Sequence, residues 1–251
     1  MLPFTIYSSF IKNGTFCIER KPGMNLFNEN NLLNIGLNKI GDVIVCNLLF
    51  ILCCIPIFTI GPALTALYHC MLRSVKGNLN GAAKTFFRSF KENFLQSLAA
   101  WLLFLLLLFI LLLNIRFLSL QGAGISQVFL YLSEGAAILL IIGGLYIFPV
   151  IAAFSNTLRN LVKNSYIFAF MHFPSTLLLA VITILPMFMT YQDLTLLPLY
   201  ACCWFFFGFS LTALINAHIL YRFFKKYLDS ENIEEKGAHS EKILSVQKKD
   251  G

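Results

Sequence analysis

The side chains best able to do chemistry are a few ionisable residues in or beside long apolar runs. An ionisable group is costly inside a membrane, so each is by default a candidate for handling an ion, a proton or a substrate. Asp42 stands at the mouth of the first apolar run, and Glu134 lies in the first half of a later one. Either could carry a proton or a cation. Asp42 could equally pair with Lys39 or cap a helix end, and Glu134 could lie at the level of the lipid headgroups.

Histidines and cysteines are the next candidates, as ligands of a metal ion. His69, His172 and His218 each fall near one end of an apolar segment. Three converging histidines could bind a metal, but their spacing does not require convergence, and we favour separate hydrogen bonds to backbone or headgroups. The seven cysteines show neither a C-x-x-C pair nor a Cys/His metal spacing. The sequence therefore predicts no metal site and no cofactor.

Motifs of known enzyme classes are missing from the sequence. It contains no H-E-x-x-H motif, no G-x-S-x-G nucleophile elbow and no P-loop. We therefore predict that the protein is not an enzyme. An intramembrane enzyme that uses Asp42, Glu134 and His69 is a third hypothesis, behind the two functions given below.

The composition is that of a multi-pass membrane protein. Apolar residues make up 58% of the chain and charged residues 12%, with a mean hydropathy of +0.75, whereas soluble domains carry about 25% charged residues. The formal net charge is +7. The Lys and Arg residues cluster beside apolar runs, which is the pattern of positive charge retained on the cytoplasmic side. The predicted partner of the basic residues is thus the lipid bilayer, not nucleic acid.

The first apolar segment must bend or break. No charged residue lies between Asp42 and Arg73. A straight helix over those 30 residues would be about 45 Å long, but the hydrocarbon core of a bilayer is only about 30 Å thick. We favour one crossing, with a re-entrant hairpin as the alternative. The candidate residues in this broken segment, besides Asp42, are its helix breakers and polar side chains: Asn47, Pro56, Thr59, Gly61 and Pro62.

A second candidate region follows a Gly/Asn turn. Residues 84–94 place phenylalanines at helical spacing, with basic residues largely opposite them. This pattern predicts an amphipathic helix on the cytoplasmic membrane surface, beside anionic headgroups. A docking surface for a soluble partner is the alternative. The candidate residues here are Phe87, Phe90, Lys91 and Asn93.

Four further apolar runs predict transmembrane helices. They cover approximately residues 93–115, 127–156, 166–189 and 196–221, and Arg159 and Lys163 mark a loop before the third of them. The basic loops place the C-terminus inside. The N-terminus is inside or outside according to how the first segment folds. The predicted fold is all-α: a polytopic membrane bundle of about five transmembrane helices, with a Pro/Gly-broken first segment and a cytoplasmic amphipathic helix.

The chain has three predicted regions. Residues 1–24 lack the order of a signal peptide, and we expect a non-native leader or a disordered N-terminus, with Met24 as the alternative start to Met1. Residues 25–228 form the transmembrane domain. Residues 229–251 are polar and mixed in charge, so a disordered cytoplasmic tail is expected.

Three stretches together carry a family likeness. The first comprises residues 38–42 (NKIGD), 47–50 (NLLF), 56–63 (PIFTIGPA) and 66–68 (ALY). The second is 86–94 (FFRSFKENF) with 96–97 (QS), and the third runs from Pro198 through Asn216 to Tyr227. These stretches resemble the YesL-like membrane proteins, a family of unknown function. The resemblance implies a small integral membrane protein of Gram-positive bacteria, often encoded beside carbohydrate ABC transporters, their sensor kinases and polysaccharide-degrading enzymes. It carries no activity and no catalytic residues.

The resemblance and the missing enzyme motifs favour a non-enzymatic role. We predict an accessory or assembly partner of a carbohydrate ABC uptake or sensing system, with ABC transporter subunits or a sensor kinase as its partners. The alternative is a stand-alone small-solute transporter or channel, because discontinuous helices line the substrate sites of many transporters.

Overall fold

The structure, a computed structural model, describes residues 7–12, 15–20, 32–79, 81–120, 125–192 and 194–225. The chain divides into two units, Met1–Gly41 and Asp42–Gly251. In the first unit, strands β1 (Tyr7–Lys12) and β2 (Thr15–Arg20) pair as an antiparallel hairpin. The sequence pattern does not predict this hairpin, which falls in the segment expected to be a leader or disordered. Met24 and the tail from 229 onward lie outside the described residues.

All secondary-structure elements in the described part of the second unit are helices. Its helices are α1 (Leu32–Cys53, which begins in the first unit), α2 (Ile60–Val75), α3 (Ala82–Glu92), α4 (Phe94–Ser119), α5 (Ile125–Ala153), α6 (Leu158–Met171) and α7 (Phe173–Gln192). The last helix, α8, extends over Leu197–Lys225 and contains a π-helical turn at Trp204–Gly208. This confirms the all-α fold predicted for the transmembrane domain.

Four of the described helices are long and apolar enough to cross a bilayer: α4, α5 from Gln127, α7 and α8. Large apolar side chains cover their outer surfaces; on α4, for example, Leu106, Phe109 and Leu113 are each more than half exposed. Such a surface suits lipid rather than water. These four helices correspond to the last four predicted spans, which confirms a polytopic membrane protein.

The predicted loop around Arg159 and Lys163 is helix α6 instead. This helix is amphipathic: Leu161 and Phe168 are buried against the bundle, while the two basic residues are exposed. The sequence pattern misled because both basic residues lie in the first half of a helix of only 14 residues. In the sequence, these two charges therefore look like a loop between two apolar runs.

The transmembrane helix predicted over residues 166–189 begins at Phe173, not near Tyr166. The backbone leaves the helical conformation at His172, with φ −120° and ψ 49°. Pro174 follows in the first turn of α7 and has no N–H group to donate to the preceding turn, so α6 cannot run on into α7. A proline is tolerated in the first turn of the new helix for the same reason.

The first apolar segment folds back on itself, with α1 and α2 as the two arms of a hairpin, which is the geometry of the re-entrant alternative rather than of a single straight crossing. The side chain of Asp42, on α1, accepts a hydrogen bond from the backbone N–H of Ala82, at the start of α3. Near the end of α2, Cys70 places its Sγ 3.9 Å from the carbonyl oxygen of Ala82 and is also hydrogen-bonded to Cys46 of α1. Both ends of the segment thus meet beside α3. From residue 42 to 53, α1 rises about 16 Å, roughly half of a hydrocarbon core.

Helix α2 occupies the centre of the bundle and packs against α3, α4 and α5. Gly61 permits the closest of these approaches. A Cβ atom added there would lie 2.5 Å from the Cβ atom of Trp101 and 2.8 Å from the carbonyl oxygen of Ser97, both on α4. Pro62, next to it, is fully buried in the first turn of α2.

Candidate functional site: the re-entrant hairpin and the amphipathic helix

The tip of the hairpin satisfies its own backbone in an apolar setting. The Thr59 hydroxyl lies 2.6 Å from the carbonyl oxygen of Cys53 and 2.7 Å from that of Pro56. From α4, the indole N–H of Trp101 donates to the carbonyl oxygen of Ile57 at 2.9 Å. Non-helical backbone at membrane depth is tolerated only where its polar groups find such partners. The break at Pro56 and the polar residue Thr59 therefore act together as one structural device.

Asn47 fastens the other arm of the hairpin to α8. Its Nδ2 donates to the carbonyl oxygens of Trp204 at 2.9 Å and Phe205 at 2.7 Å, and its Oδ1 accepts from the backbone N–H of Ser210 at 2.9 Å. These groups lie in and just after the π-helical turn, where an extra residue disrupts the regular ladder. Because carbonyls only accept and the N–H only donates, the orientation of the amide is determined. Asn47 is completely buried.

Further polar contacts join α2 to the spans. Ser97 of α4 donates to the hydroxyl of Thr65 at 2.9 Å. Asn216 of α8 donates to Thr183 of α7 at 3.0 Å and lies 3.4 Å from the hydroxyl of Tyr68 on α2. Such hydrogen bonds contribute specificity between helices in lipid. They make the hairpin an integral part of the bundle.

Two buried oxygens in α8 have no hydrogen-bond partner among the described residues. They are the hydroxyl of Ser210 and the side-chain oxygen of Asn216, both in residues with at most 1% of their surface exposed. A buried polar atom without a partner is uncommon and calls for a physical explanation. Water or a small solute is one such explanation.

Asp42, which lies on α1, caps the amphipathic helix α3. The residue before α3, Gly81, has a positive φ of 77° and no side chain to cap the helix. The carboxylate of Asp42 instead accepts the hydrogen bond from Ala82, and its negative charge suits the positive end of the helix dipole. Partial burial raises the pKa of Asp42 above its ordinary value, and the hydrogen bond from Ala82 opposes that rise. The sequence left two structural roles open for Asp42, pairing with Lys39 or capping a helix end.

The apolar face of α3 packs on the bundle, rather than on the lipid as predicted. Phe86 is completely buried. Phe90 is partly buried, with its ring 6.4 Å from that of Phe86 and 5.5 Å from that of Phe94. Of the predicted aromatic candidates, only Phe87 faces outward, with 49% of its surface exposed.

The outward face of α3 is charged and ordered. Phe87 lies there with Lys84 and Lys91, both exposed, and with an ion pair in which Arg88 Nε and Glu92 Oε1 are 2.9 Å apart. We call this the α3 outer face. An exposed ion pair one helical turn apart adds little to helix stability, because water and salt screen the two charges. The order of this face comes instead from the buried side of α3 and its cap.

Asn93 makes the junction between α3 and α4. Its side-chain Nδ2 donates to the carbonyl oxygen of Ser89 at 3.1 Å, which closes the last turn of α3. Its own carbonyl accepts from the backbone N–H of Ser97 at 2.9 Å, which opens α4. Asn93 therefore stabilises the junction between α3 and α4 and is not part of the outward face of α3.

The remaining candidates do not come together. Glu134 is exposed on α5. His69 Nδ1 donates to the carbonyl oxygen of Ala152 at 3.0 Å, His172 stacks on the ring of Phe223, and His218 is exposed. Over the described part of the chain, no three His, Cys, Asp or Glu side chains lie close enough to hold a metal ion.

The hairpin and α3 lie largely within a region that matches a protein-family model. Residues 43–115 match DUF624, described as a protein of unknown function. This DUF624 region covers nearly all of the hairpin, α3 and most of α4. The match confirms the predicted likeness to a family of unknown function for the first two motifs, and the third motif lies outside it. No curated protein and no solved structure matches the chain.

Two features of the site had only a weak signal in the sequence. Ser97, Ala100 and Trp101 are spaced as one face of α4, just before its leucine-rich run, and that face meets the hairpin. This small and polar face could have been found by its spacing. The π-helical turn at Trp204–Gly208 had no recognisable signal.

Proposed function

We propose that this protein is a non-enzymatic accessory or assembly subunit of a carbohydrate ABC uptake or sensing system. In this proposal it lies in the cell membrane, with α3 and the C-terminus on the cytoplasmic side. The family likeness supplies the class of partner. The positive-inside pattern supplies the orientation.

The α3 outer face is the observation that carries the proposal. Helix α3 uses its apolar side to pack on α2, and Asp42 caps its first turn. This leaves an ordered surface with Phe87 beside Lys84, Lys91 and the Arg88–Glu92 pair. An aromatic anchor within a polar rim is typical of the surfaces by which proteins recognise one another. The polar groups of the hairpin, by contrast, are largely used to hold backbone and helices.

Co-purification from the native membrane tests this proposal. We expect the tagged protein, extracted in mild detergent, to recover ABC permease subunits or a sensor kinase. The double variant Phe87→Ser/Lys91→Gln should lose most of them. The matched control is Phe170→Ser/Lys163→Gln, which removes an exposed aromatic and an exposed lysine from α6. Equal recovery with both double variants, or recovery of the protein alone, would contradict the proposal.

A second candidate, solute transport, is favoured by one observation. Ser210 and Asn216 each carry a buried oxygen without a partner in the described residues of a transmembrane helix. Sugar or ion flux in liposomes that contain only this protein would support transport, above all if Asn216→Leu abolished it. The absence of flux would count against transport and leave the accessory role as the better account.

A further inference from the structure

A polar cavity opens between the end of α2 and the end of α5. Its volume is about 390 Å³, and its polar lining comes from His69, Arg73, Lys76 and Asn78. The walls also include Ala152 at the end of α5. Ligand pockets in proteins commonly have volumes of about 300–1,000 Å³. The cavity therefore has room for a charged group and part of the molecule that carries it.

The cavity carries two positive charges that no described carboxylate pairs with directly, although Glu92 acts electrostatically on His69 in its lining. Arg73 and Lys76 are both exposed, and neither forms an ion pair with any described residue. Among the residues that the structure describes, the one ion pair found joins Arg88 and Glu92. Asn78 adds an amide that can donate to an anion.

Two of the polar side chains are held in place before any ligand binds. His69 donates its Nδ1–H to the carbonyl oxygen of Ala152 at 3.0 Å, which fixes the tautomer of the neutral ring and leaves Nε2 as an acceptor. The ammonium group of Lys76 lies 5.7 Å from the centre of the Tyr221 ring, within the range of a cation–π contact. These contacts limit the motion of two of the groups that line the cavity.

We propose that this cavity binds a phosphate group, with Arg73 and Lys76 as its charged ligands, Asn78 as a further donor, and His69 accepting from a hydroxyl of the same molecule. Arginine and lysine are the usual partners of phosphate oxygens. The group could belong to an anionic lipid headgroup or to a free phosphate compound, because both offer the same oxygens. The inference does not depend on the proposed accessory function.

The alternative role for these cations is to offset helix dipoles. Helices α2 and α5 both end at the cavity, and a basic residue near a helix C-terminus is favourable without any ligand. The two roles predict different results. Cations that only offset the helix ends give no response to phosphate, whereas a binding site responds to it.

The test uses the purified full chain, delipidated and placed in nanodiscs. One arm adds inorganic phosphate to nanodiscs of phosphatidylcholine, and the other compares these with nanodiscs that also contain phosphatidylglycerol. The readouts are the midpoint of thermal unfolding and the bound lipids counted by native mass spectrometry. Arg73→Gln/Lys76→Gln removes both charges, and Arg159→Gln/Lys163→Gln on α6 removes the same charge from exposed positions outside the cavity lining.

We expect one arm to stabilise the wild type and the α6 control alike. The Arg73→Gln/Lys76→Gln variant should bind at least about tenfold more weakly for each lost charge-assisted contact. A response to inorganic phosphate identifies a free phosphate compound as the ligand, and a response only to phosphatidylglycerol identifies a lipid headgroup. No response in either arm, or an equal loss in the α6 control, overturns the proposal.

Discussion

Replacing Asn47 with leucine tests how the hairpin is held in the bundle. Leucine has the branched shape of asparagine but is larger and has no hydrogen-bonding group, so Asn47→Leu removes three hydrogen bonds to the backbone of α8 and adds bulk at a fully buried position. The carbonyl groups of Trp204 and Phe205 and the N–H group of Ser210 would remain in a buried setting. A hairpin fastened at this point should become markedly less stable.

The expected loss follows from those three contacts. Hydrogen bonds between transmembrane helices average about 0.6 kcal/mol each in double-mutant cycles, which gives about 2 kcal/mol for three. A buried backbone group left without a partner costs about 1–3 kcal/mol. Because the backbone around the π-helical turn can relax in part, we expect the free energy of unfolding to fall by about 2–5 kcal/mol.

Unfolding by a denaturing detergent, followed by circular dichroism, measures this free energy. The matched control is Asn114→Leu, the same substitution at an exposed position of α4 whose side chain accepts one long hydrogen bond, 3.4 Å, from Ser133. The control should change the free energy of unfolding by less than about 0.5 kcal/mol, as is usual for surface substitutions. If Asn47→Leu also stayed within that range, the reasoning that makes Asn47 the anchor of the hairpin would be wrong.

Three further predictions concern the same region. Gly61→Ala should destabilise the protein by about 1–3 kcal/mol through overpacking against α4, as measured by the same detergent titration. The control is Gly135→Ala, where an added Cβ meets nothing within 4 Å and no destabilisation is expected. Equal effects of the two substitutions would refute the close approach of α2 to α4 at Gly61. Asp42→Ala should speed hydrogen exchange in the first turn of α3 by an amount equivalent to a lost cap, about 0.5–2 kcal/mol. Glu134→Ala is its control, and unchanged exchange at α3 would rule out capping by Asp42. Thr59→Val should lower the midpoint of thermal unfolding, because the Cys53 carbonyl loses the Thr59 hydroxyl as a donor, whereas the Pro56 carbonyl keeps the backbone N–H of Thr59. An unchanged midpoint would mean that the Thr59 hydroxyl does not stabilise the hairpin tip.

The transmembrane helices were predictable because their signal is local. A run such as residues 94–119 holds its apolar character over 26 residues, so length and hydropathy are enough to identify it. The break at Pro56 and Gly61 was predictable for the same reason, since proline and glycine act on the backbone where they stand. The path of the chain after the break was not, because it depends on contacts of α1 with α8 and of α2 with α4.

The roles of the candidate residues were less predictable than their positions. For Asp42 the sequence offered pairing with Lys39 or capping of a helix end, but the helix that it contacts lies 40 residues further along the chain and is brought close only by the fold. Phe87 and Phe90 look equivalent in the sequence. Only the packing of α3 on α2 shows that Phe90 is partly buried among aromatic rings while Phe87 is exposed. Helix α6 was missed because its two basic residues interrupt a short apolar pattern.

The hairpin and the α3 outer face are physically connected. Asp42 lies on the first arm of the hairpin and caps α3, while Cys70 on the second arm contacts the same first turn of α3. The position of α3 is therefore set by the hairpin, which Asn47 anchors in turn to α8. Variants that loosen the hairpin should disturb α3 without touching its exposed residues. The DUF624 region, residues 43–115, contains α3 and most of the hairpin.

Site-specific photo-crosslinking in the native membrane tests the proposed docking surface most directly. A photoreactive phenylalanine analogue at Phe87 should give adducts with ABC permease subunits or a sensor kinase, identified by mass spectrometry. The same analogue at Phe109, exposed on the lipid-facing surface of α4, should not give those adducts. Adducts at Phe87 with lipid alone, or with the same proteins as at Phe109, would contradict the claim that the α3 outer face binds a partner.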